Sequence, residues 1–306
     1  MRIGRSQFFH LAAGLALAGL APGDRASAQT GAVMHKRKVP ATGEMLGVVG
    51  LGTWQTFDVG SSSTERAPLA EVLRTLFEAG GSVVDSSPMY GRSEAVAGDL
   101  LAAAGSRDKA FIATKVWTTG RDAGIAQMEK SFKLFHTDRI DLMQVHNLLD
   151  WQTHLPTLSA WKKEGRIRLL GVTHYTEGAH GTLEVVLQLG GFDFVQVDYA
   201  IDDRGIEERL LKFAADNGIA VLINRPFGGG GLMRKLAGRP LPGWAKDIGC
   251  TSWAQVLLKF VLAQPAVTCA IPGTSKPGHM RDNIQAGIGD YPDAGLLKKM
   301  ISDVDP

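Results

Sequence analysis

The stretch Val83–Glu94 reads VVDSSPMYGRSE, and it contains a strand, a loop and the start of a helix. Its two valines are typical of a buried strand, and the serines, proline and glycine that follow are turn residues. Ser93 then predicts the N-cap of a helix over Ala95–Ala104. Asp85 at the strand tip and Tyr90 on the loop suit a polar site, but alone they fit an ordinary turn equally well.

Short apolar runs alternate with helical patterns along the rest of the chain. The apolar runs are Val48–Leu51, Ser82–Asp85, Phe111–Val116, Ile140–Val145, Leu169–Val172, Phe192–Tyr199, Ile219–Ile223 and Cys269–Ile271. The helical patterns are Leu69–Ala79, Ala95–Ala104, Asp122–Phe135, Leu155–Lys163, Leu183–Gln188, Ile206–Asn217, Trp253–Ala263 and Pro277–Ala286, and a final helix is expected at Ala294–Ile301. This alternation over about 250 residues predicts an α/β fold, a single-domain (β/α)8 TIM barrel. A doubly wound sheet is the rival, and no nucleotide-binding glycine fingerprint supports it.

Polar side chains end one predicted strand after another. In a barrel of this kind, the carboxyl ends of the strands carry the functional site. The polar residues at these ends are Asp85 and Tyr90, Lys115, His146, Thr173 and His174, Gln196, Arg225, and Thr274, Ser275 and Lys276. A snorkelling lysine or a core histidine is ordinary by itself. Their recurrence at successive strand ends predicts an active site.

The composition is that of a globular protein with a sizeable core, 44% hydrophobic and 21% charged. The formal net charge of +2 and the lack of a basic stripe give no reason to expect nucleic acid as a partner. Cys250 and Cys269 are too few for a disulfide framework or a zinc site. The histidines and carboxylates do not cluster as metal ligands, so no metal site is expected.

The N-terminus has the pattern of a secretory signal peptide. Arg2 and Arg5 precede the apolar stretch Leu11–Ala21, and an Ala-x-Ala cleavage signal ends at Ala28. The stretch is too short for an ordinary membrane span, so none is expected in the mature protein. Before it, the segment Gly4–Phe9 resembles the core of a twin-arginine signal, with Gly4 in place of the first arginine.

These observations divide the chain into a signal peptide over residues 1–28 and a barrel domain over residues 29–306. We expect a periplasmic or exported mature protein, with a twin-arginine-like route among the alternatives. The protein would be cytoplasmic if the signal is not functional.

In its strand-end motifs the chain resembles the aldo-keto reductases. The motifs follow in order: GLGTW at Gly50–Trp54, DxxxxYGxSE at Asp85–Glu94, TK at Thr114–Lys115, DLxxxH at Asp141–His146, GRIRxxGV at Gly165–Val172, IPG at Ile271–Gly273, and Asn283. The resemblance implies NAD(P)H-dependent reduction of a carbonyl compound in a (β/α)8 barrel. It also implies a catalytic tetrad, which is Asp85, Tyr90, Lys115 and His146.

Carbonyl reduction needs these four side-chain types. Hydride delivery to the carbonyl carbon leaves negative charge on the oxygen, so a proton donor must lie there. A phenol with a pKa of about 10 is a reluctant acid. The Lys115 ammonium is expected to lower the pKa of Tyr90, and Asp85 to keep Lys115 charged. His146 would orient the carbonyl by a hydrogen bond.

The resemblance further implies a cofactor site. Its residues are Gly52, Thr53, Thr173, His174, Gln196, Arg225, Pro226, Phe227, Gly228, Gly273, Thr274, Ser275, Lys276, His279, Asp282 and Asn283. Thr173, His174 and Gln196 would hold the nicotinamide amide. Arg225 stands near the position of the usual stacking aromatic, and it could lie on the ring or reach the pyrophosphate. The hydroxyls and Lys276 suit a 2′-phosphate, so NADPH is expected rather than NADH.

Trp54, Trp117 and Asn147 match positions that line the substrate pocket of the family. Two indoles predict a small-molecule carbonyl substrate with an aromatic or apolar body, in an open pocket. The physiological substrate and the oligomeric state are not readable. The alternative function is an NADPH-binding sensor or partner subunit with negligible turnover, and a metal-dependent barrel hydrolase has little support.

Overall fold

The fold is built from ten strands and ten helices in the described part of the chain, residues 33–304 of a computed structural model. The strands are β1 (Lys36–Lys38), β2 (Met45–Gly47), β3 (Leu51–Gly52), β4 (Val83–Asp85), β5 (Phe111–Val116), β6 (Ile140–Val145), β7 (Ile167–Thr173), β8 (Phe194–Asp198), β9 (Ala220–Asn224) and β10 (Val267–Ala270). The helices are α1 (Ser63–Glu78), α2 (Ser93–Ala103), α3 (Arg121–Leu134), α4 (Trp151–Lys163), α5 (His180–Leu187), α6 (Leu210–Asp216), α7 (Gly231–Lys235), α8 (Trp253–Leu262), α9 (Pro277–Gln285) and α10 (Ala294–Val304). The predicted signal peptide lies outside the described residues.

Strands β3 to β10 form one parallel sheet whose spatial order is the order of the chain. Bridges between Val49 and Ala270 and between Gly52 and Gly273 join its two edges. A doubly wound sheet reverses its strand order part-way, so the rival fold is excluded. The predicted (β/α)8 barrel is confirmed.

The strands are apolar on both faces because each face is buried in a different core. The inner core fills the barrel with Val83, Phe111, Ala113, Leu142, Leu169, Phe194, Ala220, Leu222, Cys269 and Ile271. The intervening residues point outward and pack under the helices, as Val84 and Ile112 do. Since successive side chains of a strand alternate between faces, this register also decides which polar residues face inward at the strand ends.

The β1–β2 hairpin closes the end of the barrel opposite to these strand ends. The two strands pair antiparallel, and Val39 and Leu46 join the inner core. Arg37 reaches outward from β1 and donates to the carbonyl oxygens of Leu262, Gln264 and Val267. The barrel is therefore plugged at its amino end and open at its carboxyl end.

Helix α7 is the one helix of the described chain that the sequence pattern did not predict. It has only five residues, a single turn of three glycines (Gly228–Gly230) precedes it, and Gly229 and Gly230 have positive φ angles. A segment this short carries no measurable helical period. Among the described residues, no helix combines the length and the apolar character that crossing a bilayer requires.

Candidate active site

Polar side chains line the open end of the barrel because the strands keep a period of two. Two residues beyond an inner-core residue, the next side chain points inward again. The inward positions above the core are Asp85, Lys115, Gln144, His146, Thr173, Gln196 and Asn224. The structure thus brings together three tetrad residues on neighbouring strands, and Tyr90 joins them from the loop after β4.

Asp85 and Lys115 form a buried ion pair at the centre of this site. Lys115 Nζ donates to Asp85 Oδ2 at 2.7 Å and to the carbonyl oxygen of Ser86 at 2.7 Å. Both side chains are almost fully buried. Burial lowers the pKa of Lys115, and the Asp85 charge opposes that effect. The carboxylate is what makes an ammonium tolerable at this depth.

The second carboxylate oxygen of Asp85 is bound by amide side chains. Gln196 Nε2 donates to Asp85 Oδ1 at 2.7 Å, and Gln144 Nε2 lies 3.5 Å from the same oxygen. Gln196, expected at the nicotinamide, therefore supports the tetrad in this structure. Gln144 was not predicted, although it lies two residues before His146 on the same strand face. Its Oε1 atom is buried without a hydrogen-bond partner in the described chain.

Tyr90 lies against both Lys115 and His146. Lys115 Nζ is 5.2 Å from the centre of the Tyr90 ring, which meets the His146 ring edge-on at 5.8 Å. Burial and the Asp85 charge raise the pKa of Tyr90. The expected lowering by Lys115 is not found, because the ammonium lies over the ring and is neutralised by Asp85. Tyr90 is therefore protonated at neutral pH, the form that a proton donor needs.

His146 is a neutral imidazole in this environment. Burial and the nearby Lys115 charge lower the pKa of His146 to about 2. Its Nδ1 atom is 2.9 Å from the hydroxyl oxygen of Ser87. A neutral ring can still donate one hydrogen bond to a carbonyl oxygen without adding charge to the site.

Apolar side chains surround the opening above the tetrad. Trp54, Met89, Trp117 and Tyr175 are each between 38% and 51% exposed, which is unusual for side chains of this size. The Trp117 ring also lies 6.5 Å from the His146 ring. Asn147 adopts a left-handed backbone conformation, and its N–H donates to Thr173 Oγ1 at 3.3 Å. The Trp117 indole therefore lies beside the tetrad, and the exposed Trp54 follows the carboxyl end of β3.

The residues after β7 and β9 form a layered group beside this opening. The rings of His174 and Tyr175 stack at 5.7 Å, and the Arg225 guanidinium lies 5.5 Å from the Tyr175 ring centre. Arg225 has a positive φ of 49°. Asn224 Nδ2 donates to the carbonyl oxygen of His174 at 3.1 Å. Tyr175 and Asn224 were not predicted; the period of two from Leu222 would have found Asn224.

Two glycines of the predicted cofactor set are required by the backbone itself. A Cβ on Gly52 would lie 2.7 Å from the carbonyl oxygen of Ile271, where the two edges of the sheet meet. Gly228 has a φ of 58°, and a Cβ there would lie 2.8 Å from Asp202. Pro226 and Phe227 lead into this turn after β9. Thr53 Oγ1 donates to the carbonyl oxygen of Asp85 at 2.9 Å, so it also ties β3 to the tetrad strand.

The segment after β10 leads from Gly273 into the N-terminus of α9. Thr274 Oγ1 accepts from the Lys276 N–H at 3.0 Å, and Lys276 and His279 are exposed. An exposed cation at a helix N-terminus suits an anionic group, with Ser275 beside it. Asp282 is used differently, since its carboxylate accepts from Ser252 and Gln255 at 2.7 and 2.6 Å. Asn283 is buried near the end of α9.

The fold agrees with a comparison of the whole chain with known families. The model of the aldo/keto reductase family matches residues 48–294. The chain belongs to the aldo/keto reductase family.

Two aldo/keto reductase relatives come from Escherichia coli (strain K12). The methylglyoxal reductase YeaE is 29% identical over 82% of this chain and 89% of its own length. The NADH-specific methylglyoxal reductase is 26% identical over 87% of this chain and 98% of its own length. A solved aldo/keto reductase from Klebsiella pneumoniae, in complex with NADP and acetate, is 25% identical with a TM-score of 0.73. The match covers 86% of this chain and 93% of the Klebsiella pneumoniae chain.

An aldo/keto reductase acts as an oxidoreductase with a nicotinamide cofactor, and the residues present fit such a group. Buried polar atoms near the strand ends, Gln144 Oε1 and Asn224 Oδ1, have no partner in the described chain. An exposed cation and hydroxyls stand at the start of α9, as a phosphate group requires. Within residues 33–304, no group of three or more histidine, cysteine and acidic side chains is placed to hold a metal ion.

Proposed function

We propose that this protein reduces aldehydes or ketones to alcohols with NADPH, and that Tyr90 donates the proton. The observation that carries this is the convergence of Asp85, Lys115 and His146 on Tyr90 at the open end of the barrel. The family assignment supports carbonyl reduction by NAD(P)H. The intact tetrad favours turnover over the alternative, a sensor or partner subunit.

Each tetrad residue has a physical task in this proposal. NADPH, when bound, supplies the hydride. Tyr90 supplies the proton to the carbonyl oxygen, where negative charge develops. His146 holds the same oxygen by a hydrogen bond. The Lys115 ammonium lies 5.2 Å from the Tyr90 ring centre and holds the ring at the site. Asp85 keeps the Lys115 ammonium charged in a buried position.

NADPH is proposed over NADH because of the residues at the start of α9. Thr274, Ser275 and Lys276 offer hydroxyls and a cation for a 2′-phosphate, and His279 lies one turn further on. We further propose that Thr173, His174 and Asn224 surround the nicotinamide amide and that Arg225, stacked on Tyr175, faces the cofactor. Comparison of NADPH and NADH dissociation constants tests the preference, and Lys276→Met should weaken NADPH binding selectively. Equal affinities for both would contradict it.

The substrate class follows from the opening above the tetrad. Trp54, Met89 and Trp117 offer partly exposed apolar surface, so a carbonyl compound with an aromatic or apolar body is proposed. The substrate panel therefore includes aromatic and aliphatic aldehydes, with methylglyoxal added because two relatives are named for it.

Tyr90→Phe is the decisive variant. It removes the proton donor and keeps the ring that packs on His146, so we expect at least a 100-fold loss of kcat with unchanged NADPH binding. The measurement is the loss of NADPH absorbance with the substrate panel. Wild-type protein that neither binds NADPH nor consumes it would contradict the proposed function. A Tyr90→Phe variant with wild-type kcat would contradict the role of Tyr90.

We also propose export of the barrel domain, residues 29–306, after cleavage of a signal peptide at Ala28. Its support is the N-terminal pattern of Arg2, Arg5 and Leu11–Ala21. Translocation in a folded state would allow the protein to carry its cofactor. Cell fractionation and N-terminal sequencing test this proposal, and uncleaved cytoplasmic protein would contradict it.

A further inference from the structure

The buried contact between Ser87 and His146 is not part of the tetrad. Ser87 is two residues beyond Asp85 on the loop after β4, and His146 follows β6. The hydroxyl oxygen of Ser87 is 2.9 Å from His146 Nδ1. Ser87 is fully buried and His146 nearly so, so water does not compete for this contact. Within residues 33–304 it is the one hydrogen bond recorded for the His146 ring.

The hydroxyl of Ser87 has a second contact, which fixes its direction. The backbone N–H of Met89 donates to Ser87 Oγ, at 3.4 Å. A hydroxyl has one proton to donate and lone pairs to accept with. If His146 Nδ1 carried the ring proton, both the Nδ1–H group and the Met89 N–H group would donate hydrogen bonds to Ser87 Oγ. The buried hydroxyl proton would then have no acceptor in the described chain, and a buried donor without an acceptor is costly.

The opposite arrangement satisfies every group. The hydroxyl proton goes to Nδ1, the oxygen accepts from Met89, and the ring proton lies on Nε2. The ring contacts with Tyr90 and Trp117 hold the orientation of the imidazole, but they do not distinguish its two nitrogens. The selection between tautomers therefore depends on Ser87.

We infer that Ser87 is a positioning residue, which donates to His146 Nδ1 and so leaves the proton on Nε2 for the carbonyl oxygen of the substrate. The role at the substrate rests on the proposed reductase function. The tautomer itself does not, because it is a property of the protein without substrate. A hydrogen bond that strengthens as charge develops on the oxygen affects kcat more than KM.

Nuclear magnetic resonance of protein with ¹⁵N-labelled histidine tests the tautomer directly. The two ring nitrogens have different chemical shifts according to which one carries the proton, and His146→Gln identifies the signals. In the wild-type protein at neutral pH, His146 should have a protonated Nε2 and an unprotonated Nδ1. Ser87→Ala should populate the Nδ1–H form, and Ser87→Thr, which keeps the hydroxyl, should restore the wild-type pattern. Wild-type protein with the proton on Nδ1 would overturn the inference even if Ser87→Ala fails to fold.

Ser86→Ala is the matched control for the spectrum. Ser86 is equally buried and adjacent, but its hydroxyl contacts Thr53 rather than the imidazole. The His146 signals should stay unchanged in this variant. If the His146 ring signals of Ser87→Ala equal those of wild type, the role of Ser87 in selecting the tautomer is overturned.

Kinetics test whether the tautomer matters to the reaction. Ser87→Ala should lower kcat about tenfold with a KM change of about twofold or less, and Ser87→Thr should recover most of the loss. An altered tautomer with unchanged kcat would overturn the positioning role. If wild type has no reductase activity, the proposed function fails while the spectrum still decides what Ser87 does to His146.

Discussion

At the scale of single residues, the site combines a buried cation with a buried neutral histidine. Lys115 stays at the centre of the barrel because Asp85 balances its charge at 2.7 Å. His146 has no such carboxylate, and its pKa falls to about 2 through burial and the Lys115 charge. The same environment therefore keeps one basic group paired and leaves the other uncharged.

The lowered pKa of His146 links folding to pH. An unfolded histidine binds a proton below about pH 6.5, whereas folded His146 does not until about pH 2. The unfolded state thus binds more protons in this window, so stability is present above about pH 6.5 and is lost as pH falls. The slope from one group is at most about 1.4 kcal/mol per pH unit.

Urea unfolding at several pH values between about 7 and 5 checks this prediction. We expect His146→Gln to reduce the loss of unfolding free energy on acidification, because glutamine does not titrate. His279→Gln, which changes an exposed histidine of α9, is measured alongside as the control for the substitution itself. An identical acid response in wild type and His146→Gln would contradict the neutral, buried state of His146.

At the scale of elements, the β1–β2 hairpin is held to the barrel by Arg37. This side chain lies between two exposed lysines on β1, and it donates to three carbonyl oxygens around the end of α8 and the start of β10. Carbonyls at a helix C-terminus lack partners within the helix and favour a cation. Arg37 therefore connects the β1–β2 hairpin to α8 and β10.

Arg37→Ala should lower the free energy of unfolding by about 1–3 kcal/mol, because three buried or half-buried carbonyls lose a charged donor. Lys36→Ala and Lys38→Ala are matched controls on the same strand, and both should stay within about 0.5 kcal/mol of wild type. Urea unfolding gives the three values. Equal effects of all three substitutions would show that the carbonyl contacts do not stabilise the hairpin.

At the scale of the whole molecule, stability and chemistry lie at opposite ends of the barrel. The tetrad stands at the carboxyl ends of the strands. At the amino ends, Arg168 binds Asp141 at 2.7 Å and Glu44 at 2.6 Å, at a cleft of about 660 Å³. Asp141 also accepts from the backbone N–H of Ile112. This network joins the hairpin loop to three neighbouring strands.

Arg168→Met should destabilise the protein and leave catalysis unchanged. The nearly buried Asp141 would lose a charged partner, so we expect a loss of about 1–3 kcal/mol in unfolding free energy. Since the site lies at the other end of the barrel, kcat and KM should remain within about twofold of wild type. On the same preparation, thermal unfolding checks the predicted loss of stability and steady-state kinetics check the predicted unchanged kcat and KM. A large kcat change with unaltered stability would contradict this division.

The sequence by itself determined the alternation of strands and helices and the polar residue at each strand end. Both are local properties, because apolar runs and side-chain alternation depend on neighbours along the chain. It therefore predicted the barrel and the strand ends at which polar side chains lie. The sequence did not predict the short helix α7, because its pattern spans little more than one turn.

Only the tertiary structure decided which side chains meet. The Ser87–His146 contact joins residues 59 positions apart, and the Gln196–Asp85 contact joins residues 111 apart. Such contacts depend on the stagger of the strands and on the direction of each side chain, which no local pattern records. The same reason explains the raised pKa of Tyr90, because burial and the orientation of Lys115 exist only in the folded chain.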